Sequence, residues 1–355
     1  MIKLNLDYLY KLNQYNKLAI AMLHVFVVVN LTRILVSPEY GDKKITVPFE
    51  LMFKFKQKFD ELIEVDLHDT QINIYPYSLF FDNLSDFFRY YPEVWLDMFK
   101  IWERLEKKED QRFDSAIDKV GYPDYYLQNF HHQTDGYLSD MSANLYDLQL
   151  DLFFLGTADA MRRRILAPLK QGLQAFSDVP LQQIRVLDVA CGTGRTLRMI
   201  RGTLPKASLF GTDLSPAYLR KANQMLSEIP GELPQLVQAN AEELPYIDNY
   251  FHVLTSVFLF HELPATARQN VIDEAFRVLQ PGGVLVICDS MQANDSPEFE
   301  IIMKKFSAFF HEPYYSNYIQ DNIHQRLEKG GFTNISIENH FISKYWIAYK
   351  TYKSN

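Results

Sequence analysis

The chain is short of several residue types that mark whole protein classes. It has 2 cysteines in 355 residues, Cys191 and Cys288, 97 positions apart. That excludes a disulfide scaffold, a cysteine-rich zinc site and any chemistry needing three thiols, and two isolated thiols fit a reduced, cytoplasmic setting. With 14 Gly and 16 Pro the chain is neither collagenous nor a long disordered tail. Positive charge is also scarce: the formal net charge is −8, which argues against a strongly basic nucleic-acid binder. Residues 1–150 carry 16 Lys/Arg against 23 Asp/Glu (−7), and residues 151–355 carry 20 against 21 (−1). An acidic first half repels phosphate backbones and anionic headgroups wherever no local basic patch intervenes. Long apolar runs are missing too. Leu18 to Val29 is broken by His24 and runs on into Asn30, Thr32 and Arg33, short of the ~20 residues a bilayer crossing needs. It begins late for a signal peptide and shows no small-x-small cleavage site. The run reads as a buried helix, in a cytoplasmic protein without stable membrane insertion.

What is present suits a soluble chain with sizeable cores: 47% of residues are apolar and 23% charged. The length fits two domains at ~100–200 residues each, and the pattern divides them into 1–156 and 157–355. Up to about Lys119 the rhythm is helical. Phe55, Phe59, Leu62 and Ile63 share one helix face, and Pro92-Glu93 reads as the start of another helix, with Trp95, Phe99 and Trp102 on a core stripe. From Gly121 to Phe154 aromatics alternate with polar groups, and a helix is predicted from Thr157 through Arg162-Arg163-Arg164 toward Leu173. The arginine run reads as a solvated helix face. After Pro180 short β-branched runs alternate with helical patterns, the mark of βαβ units. Strands are predicted at 185–189, 208–212, 234–238, 253–257, 283–289, 334–338 and 344–349. The fold class is α/β, a doubly wound seven-stranded sheet preceded by a mostly helical N-terminal domain.

The run Val186-Leu187-Asp188-Val189-Ala190-Cys191-Gly192-Thr193-Gly194-Arg195-Thr196 passes from strand through glycine turn into helix. Glycines there let backbone approach a ligand beside a helix N-terminus. A dinucleotide fingerprint needs a third small residue, but Leu197 stands in its place. A triphosphate loop is equally unmatched. Asp188, four residues before Gly192, suits an amino group better than a pyrophosphate. Asp213, nineteen residues after Gly194 at the end of the second predicted strand, is placed to accept hydrogen bonds from a ribose diol; alone, it could equally be a helix cap before Ser215-Pro216.

The stretches VLDVACGTGRTL, FGTDLSPAYLRKA, QANAEELPYIDNYFHVLTSVFLFHELP and RVLQPGGVLVICD resemble class I S-adenosylmethionine (SAM) dependent methyltransferases, most of all the ubiquinone/menaquinone-biosynthesis C-methyltransferase-like group. The resemblance covers about residues 185–289 and implies a Rossmann-like sheet, with SAM as cofactor. It implies that Asp188 meets the methionine amino group and that backbone at Ala190, Gly192 and Gly194 lines the methionine and ribose. Asp213 would hold the ribose diol and Leu214 would pack on the adenine. Asn240, Ala241 and Glu242 would meet the adenine edge, and Phe258 at the end of the fourth strand joins this set.

The same resemblance makes the region after strand four the reactive face, and His261 the side chain nearest the methyl acceptor. A histidine could remove a proton there; alternatively it caps a helix or binds a backbone carbonyl. DNA-amine methyltransferases carry an acid or Asn followed by Pro-Pro-aromatic at this point, and this chain does not, so no nucleic acid is expected. Gly121 to Tyr146 is expected to form part of a lid, with Tyr126, His132 and Tyr137 reaching the pocket, or else to cement the two domains. His132 and Tyr137 thus stand beside His261 as candidate catalytic residues. His131-His132 lacks a third ligand at suitable spacing, so no metal is expected. Phe306, Phe309, Phe310, Tyr314, Tyr315 and Tyr318 suit a large apolar or aromatic acceptor such as a quinone, isoprenoid or lipid. The reading is a methyltransferase acting on a small molecule by in-line displacement, with a homodimer compatible; the alternative is a catalytically silent SAM-binding regulatory or scaffold protein.

Overall fold

The computed structural model describes residues 5–36, 49–81, 84–300, 303 and 310–352. Phe306 and Phe309 lie outside them. The chain forms two compact units, one of residues 1–72 and 76–160, the other of residues 73–75 and 161–355.

In the first unit, helix α1 spans Leu6–Leu35, capped where the Asn5 side chain accepts from the Asp7 and Tyr8 amides. Helix α2 (Phe49–Gln71) buries Phe59, Leu62 and Ile63. Helix α3 (Leu84–Lys107) carries Pro92 inside it rather than at its start. A proline there removes one rung of the backbone ladder, and the apolar stripe on either side carries the helix through. Trp102 is buried and donates from Nε1 to Thr32 Oγ1 at 2.8 Å, but Phe99, expected in the core, is exposed. Helix α4 (Asp140–Phe153) is capped by Ser139. A core of Ala21, Tyr90, Val94, Leu145 and Leu152 joins α1, α3 and α4.

Helix α1 overturns the buried-helix expectation. Of its 30 residues only Tyr10, Gln14, Ala21 and His24 are buried. Of the 18-residue stretch that makes it long and apolar enough to cross a membrane, 11% is buried.

The predicted helix after Thr157 is two helices, α5 (Ala158–Arg163) and α6 (Leu166–Gly172). Pro168 explains the break, because its ring clashes with the carbonyl four residues back, at Arg164. Arg162, Arg163 and Arg164 are buried, not a solvated face.

The sheet unit is α/β. Its strands are β1 (Arg185–Val189), β2 (Ser208–Asp213), β3 (Gln235–Gln238), β4 (Phe251–Val257), β5 (Leu279–Ser290), β6 (Thr333–His340) and β7 (Ser343–Tyr349). They form one seven-stranded sheet in the order β3-β2-β1-β4-β5-β7-β6. Helices α7 (Arg195–Thr203), α8 (Pro216–Ser227) and α9 (Ala265–Val278) cross between strands, followed by α10 (Tyr315–Tyr318) and α11 (Ile323–Lys329). β1 pairs in parallel with β2 and β4, whereas β7 is antiparallel to β5 and β6. Only Phe341 and Ile342 separate β6 from β7, too few for a parallel crossover. The central strands are buried almost throughout, as parallel strands covered on both faces must be. The order reverses at β1, which opens a crevice beyond the carboxyl ends of β1, β2 and β4.

Helix α6 lies hard against β5: a Cβ added at Gly172 would sit 2.3 Å from Val284 Cγ1 and 2.8 Å from its Cβ. Val284 is buried and stiff at χ1, so Gly172→Ala is expected to destabilise the sheet unit by about 1–3 kcal/mol, read as a lower urea midpoint.

Candidate active site

The site is built at the crest where β1 and β2 end. After β1 the backbone turns through Ala190, Gly192 and Gly194, all at positive φ (56°, 54° and 83°). The turn is pinned from below, since Cys191 N donates to Thr212 O at 2.8 Å and Gly194 N to Cys191 O at 2.9 Å. The two glycines serve different ends. A Cβ at Gly194 would press on Ala222 and Leu226 at 3.1 Å, while one at Gly192 would meet nothing within 4 Å. Gly194 therefore seats the loop on α8, and Gly192 faces open space that only a guest would fill.

Two carboxylates flank this bend. Asp188 is buried, and its Oδ1 accepts from Thr255 Oγ1 at 2.6 Å. Burial raises its pKa to about 7, against the opposing pull of the Thr255 hydrogen bond and the Arg162 charge. Asp213 is half-buried; Oδ2 accepts from Gly192 N and Oδ1 from Ser215 N, both at 2.8 Å. Burial lifts it to about 6, tempered by those two N–H donors. The capping alternative for Asp213 is answered directly, because Ser215 is the cap of α8, its Oγ accepting from Tyr218 N at 3.1 Å. Leu214 follows on the same turn. The Asn240-Ala241-Glu242 turn after β3 is held by Asn240 Oδ1 accepting from Glu242 N at 3.0 Å, with Ala239 N bonded to Asp213 O at 3.0 Å. Phe258, at positive φ beyond β4, carries the Arg162 guanidinium 5.7 Å above its ring. Sequence reasoning missed Arg162, because a run of three arginines looks solvated until the fold buries it.

Beyond β4, His261 lies in a short turn, Phe260–Glu262. Its Nδ1 is 2.7 Å from Oδ1 of Asp289, a fully buried carboxylate that also accepts from Ser290 N at 2.7 Å and, through Oδ2, from Phe260 N at 2.6 Å. Burial opposes a charge on His261, but the Asp289 charge and hydrogen bond outweigh it, Glu312 and Glu262 add to them, and the pKa rises to about 9. The Asp289 carboxylate thus favours the protonated form of His261. Tyr315 and Tyr318 present ring edges to it at 6.2 Å. Tyr137 and His132 belong to the helical unit. There Tyr137 stacks on Phe130 at 5.6 Å and meets Tyr126 and Tyr146 at 6.0 Å. His132 is buried with Nδ1 3.6 Å from Asp110.

Residues 186–283 match the family model for a methyltransferase domain. This segment has the sequence of a methyltransferase domain. The chain is 32% identical over 137 residues to the demethylmenaquinone methyltransferase of Listeria monocytogenes serotype 4a, a match covering 36% of this chain and 57% of that one. It is 35% identical over 131 residues to the ubiquinone/menaquinone biosynthesis C-methyltransferase of Erwinia tasmaniensis, covering 36% and 49%. The chain therefore spans about half the length of the curated relatives it matches. Among solved structures it is similar to phosphoethanolamine N-methyltransferase 2 of Haemonchus contortus, with TM-score 0.39, 16% identity and coverage of 52% and 53%. The methyltransferase domain's cofactor is SAM, and the residues here suit it. Two carboxylates with raised pKa bracket a glycine cradle that a Cβ would fill, a donor set for an ammonium and a diol rather than for a polyphosphate.

The raised pKa values carry a sign. Between about pH 4 and 7 folded Asp188 keeps a proton that the unfolded chain has lost, so stability falls as pH rises through that window. His261, raised to about 9, contributes stability that is full below its unfolded pKa and is lost as pH climbs toward 9. The ligand-free domain is expected to lose stability steadily from pH 5 to pH 9. Asp188→Asn should remove roughly 2–4 kcal/mol of the change below pH 7, measured by denaturant melts across the range.

Proposed function

We propose that the protein transfers a methyl group from SAM to a hydroxylated aromatic ring of the quinol class. The observation that carries this reading is the pair Asp188 and Asp213 on either side of the open Gly192 cradle. Bound SAM supplies an electrophilic methyl on a positively charged sulfur. The chain's part is to bind, orient and exclude water. In this reading Asp188 in its ionised form accepts from the methionine ammonium, which draws its proton off as the cofactor enters. Asp213 accepts from the ribose diol, Leu214 packs on the adenine, and the Asn240-Ala241-Glu242 turn meets the adenine edge. Arg162, stacked above Phe258, meets the methionine carboxylate.

On the acceptor side, the ring hydroxyl loses its proton to water, imidazolium at His261 donates to the phenolate oxygen so formed, and the methyl's bond to the acceptor then forms as its carbon–sulfur bond breaks; Asp289 keeps the imidazole charged and fixed in orientation. The edges of Tyr315 and Tyr318 give an aromatic wall suited to a planar, apolar guest. The quinone acceptors in the names of the relatives support the same class. A proton-abstracting His261 would predict the reverse pH behaviour.

Incubation with methyl-labelled SAM and a short-chain demethylated quinol is expected to label the quinol. Its rate should fall as pH rises through about 9, where His261 loses its proton. His261→Gln is expected to lower turnover by roughly 10²-fold with the cofactor still bound. A chain that binds SAM yet labels no quinol and nothing in a cell extract would be a silent binder, and a rate that climbs up to pH 9 would make His261 a base.

A further inference from the structure

The turn that carries His261 and the helix that carries Tyr315 and Tyr318 come from distant parts of the chain, and neither can hold its own place. Phe260–Glu262 and α10 are each about a single turn of helix, far shorter than a helix that is stable alone. Their relative position is therefore set by whatever ties them together.

The tips of the two rings are fixed by β5. Tyr318 Oη donates to Ser290 O at 2.5 Å, and Tyr315 Oη shares a 2.9 Å hydrogen bond with Ser290 Oγ. Ser290 follows Asp289, the carboxylate that holds His261, so rings and imidazole are anchored on adjacent residues of one strand. The backbone behind them is fixed from α9. Arg268, near the start of that helix and fully buried, spends each guanidinium nitrogen on a different partner. Nε donates at 3.1 Å to the carbonyl of Leu263, just past the His261 turn. Nη2 donates to Asn317 Oδ1 within α10, and Nη1 to Asp321, three residues beyond it. The guanidinium carbon also lies 5.8 Å from the centre of the Tyr318 ring.

A buried ion pair adds little net stability over apolar residues of the same size. What a guanidinium supplies is geometry, a rigid planar fork that the single ammonium of lysine cannot copy. Asp321 does not need Arg268 to balance its charge, because Arg326 Nε reaches both of its oxygens, at 2.9 and 2.8 Å. The fork is thus spent on placement.

We propose that Arg268 is a positioning residue for methyl transfer: holding Leu263 on one side and Asn317 on the other, it sets the His261 imidazole against the Tyr315 and Tyr318 wall, two surfaces that the acceptor ring must meet at once. This role rests on the reading of that face as the acceptor site. It calls for a loss confined to the acceptor, since a displacement of about 1 Å at a reacting centre costs up to ~10²-fold in rate while the crest that faces the cofactor is untouched.

Three variants test it in the full chain. Asn317 is exposed, so Asn317→Ala removes one arm of the fork and should keep the parent's unfolding midpoint; Asn317→Asp returns an oxygen acceptor to the same place. Arg268→Lys keeps the charge and loses the fork, and Asn317→Ala carries the test if that variant lowers the midpoint. With methyl-labelled SAM and a short-chain demethylated quinol, Asn317→Ala and Arg268→Lys are expected to lower kcat/KM for the quinol by roughly tenfold or more. SAM affinity by calorimetry should stay as in the parent, and Asn317→Asp should recover most of the loss. Amide hydrogen exchange in Asn317→Ala is expected to rise over residues 315–321 and not in β1, β2 or β4. An Asn317→Ala chain with the parent's kcat/KM, or a loss that Asn317→Asp fails to recover, overturns the proposal. So does a loss matched by weaker SAM binding, which would mark general damage to the domain. A parent chain that labels no quinol brings down the acceptor reading and the positioning role with it, whereas unchanged exchange over 315–321 overturns the tie alone.

Discussion

A carboxylate buried at the end of a parallel strand is costly unless something holds it, and the crest of this sheet is organised around that cost. Asp188 lies in a strand buried nearly throughout, with one hydroxyl from Thr255 as its hydrogen-bond partner and the Arg162 charge nearby. Burial wins over both, so the group holds its proton near neutrality. In the proposed reading, an ammonium at the mouth of the glycine bend removes that penalty.

The neighbouring elements brace the same bend. Asp213 spends one oxygen on Gly192 N and the other on Ser215 N, so the carboxylate braces both the glycine loop and the turn before α8. Its orientation and the loop's shape therefore depend on each other. On the far side of β4 the logic is reversed. Asp289, fully buried, favours the charged form of His261. Raised carboxylates at one end and a raised imidazole at the other are the kind of divided titration that functional sites show.

Much of the sheet was legible from the residues. Short β-branched runs flanked by turn signals predicted every strand to within a few residues at each end, and the parallel central strands β1, β4 and β5 were clearest, because strands covered on both faces require continuous apolar segments. The glycine bend and Asp213 were legible for a local reason: turn, strand end and helix start follow one another in the chain. What stayed hidden depends on partners far away. Asp289 lies 28 residues from His261, and nothing near His261 in the chain announces that it will be cationic. The arginines at 162–164 were misread because charge periodicity cannot report what packs over a helix. Helix α1 was misread for the converse reason: an apolar run implies that something covers it, and the covering was assumed to be the protein's own core.

The central claim is that the crest between β1 and β2 receives an ammonium on an Asp188 that must first give up its proton. Calorimetric titration of the full chain with SAM, or with its demethylated product, at pH 6 and pH 8 tests it most directly. A group with pKa about 7 that must be ionised to bind makes affinity roughly tenfold tighter at pH 8 than at pH 6, with proton release on binding near pH 7. Absence of binding, or an affinity that does not change between the two conditions, would contradict the account.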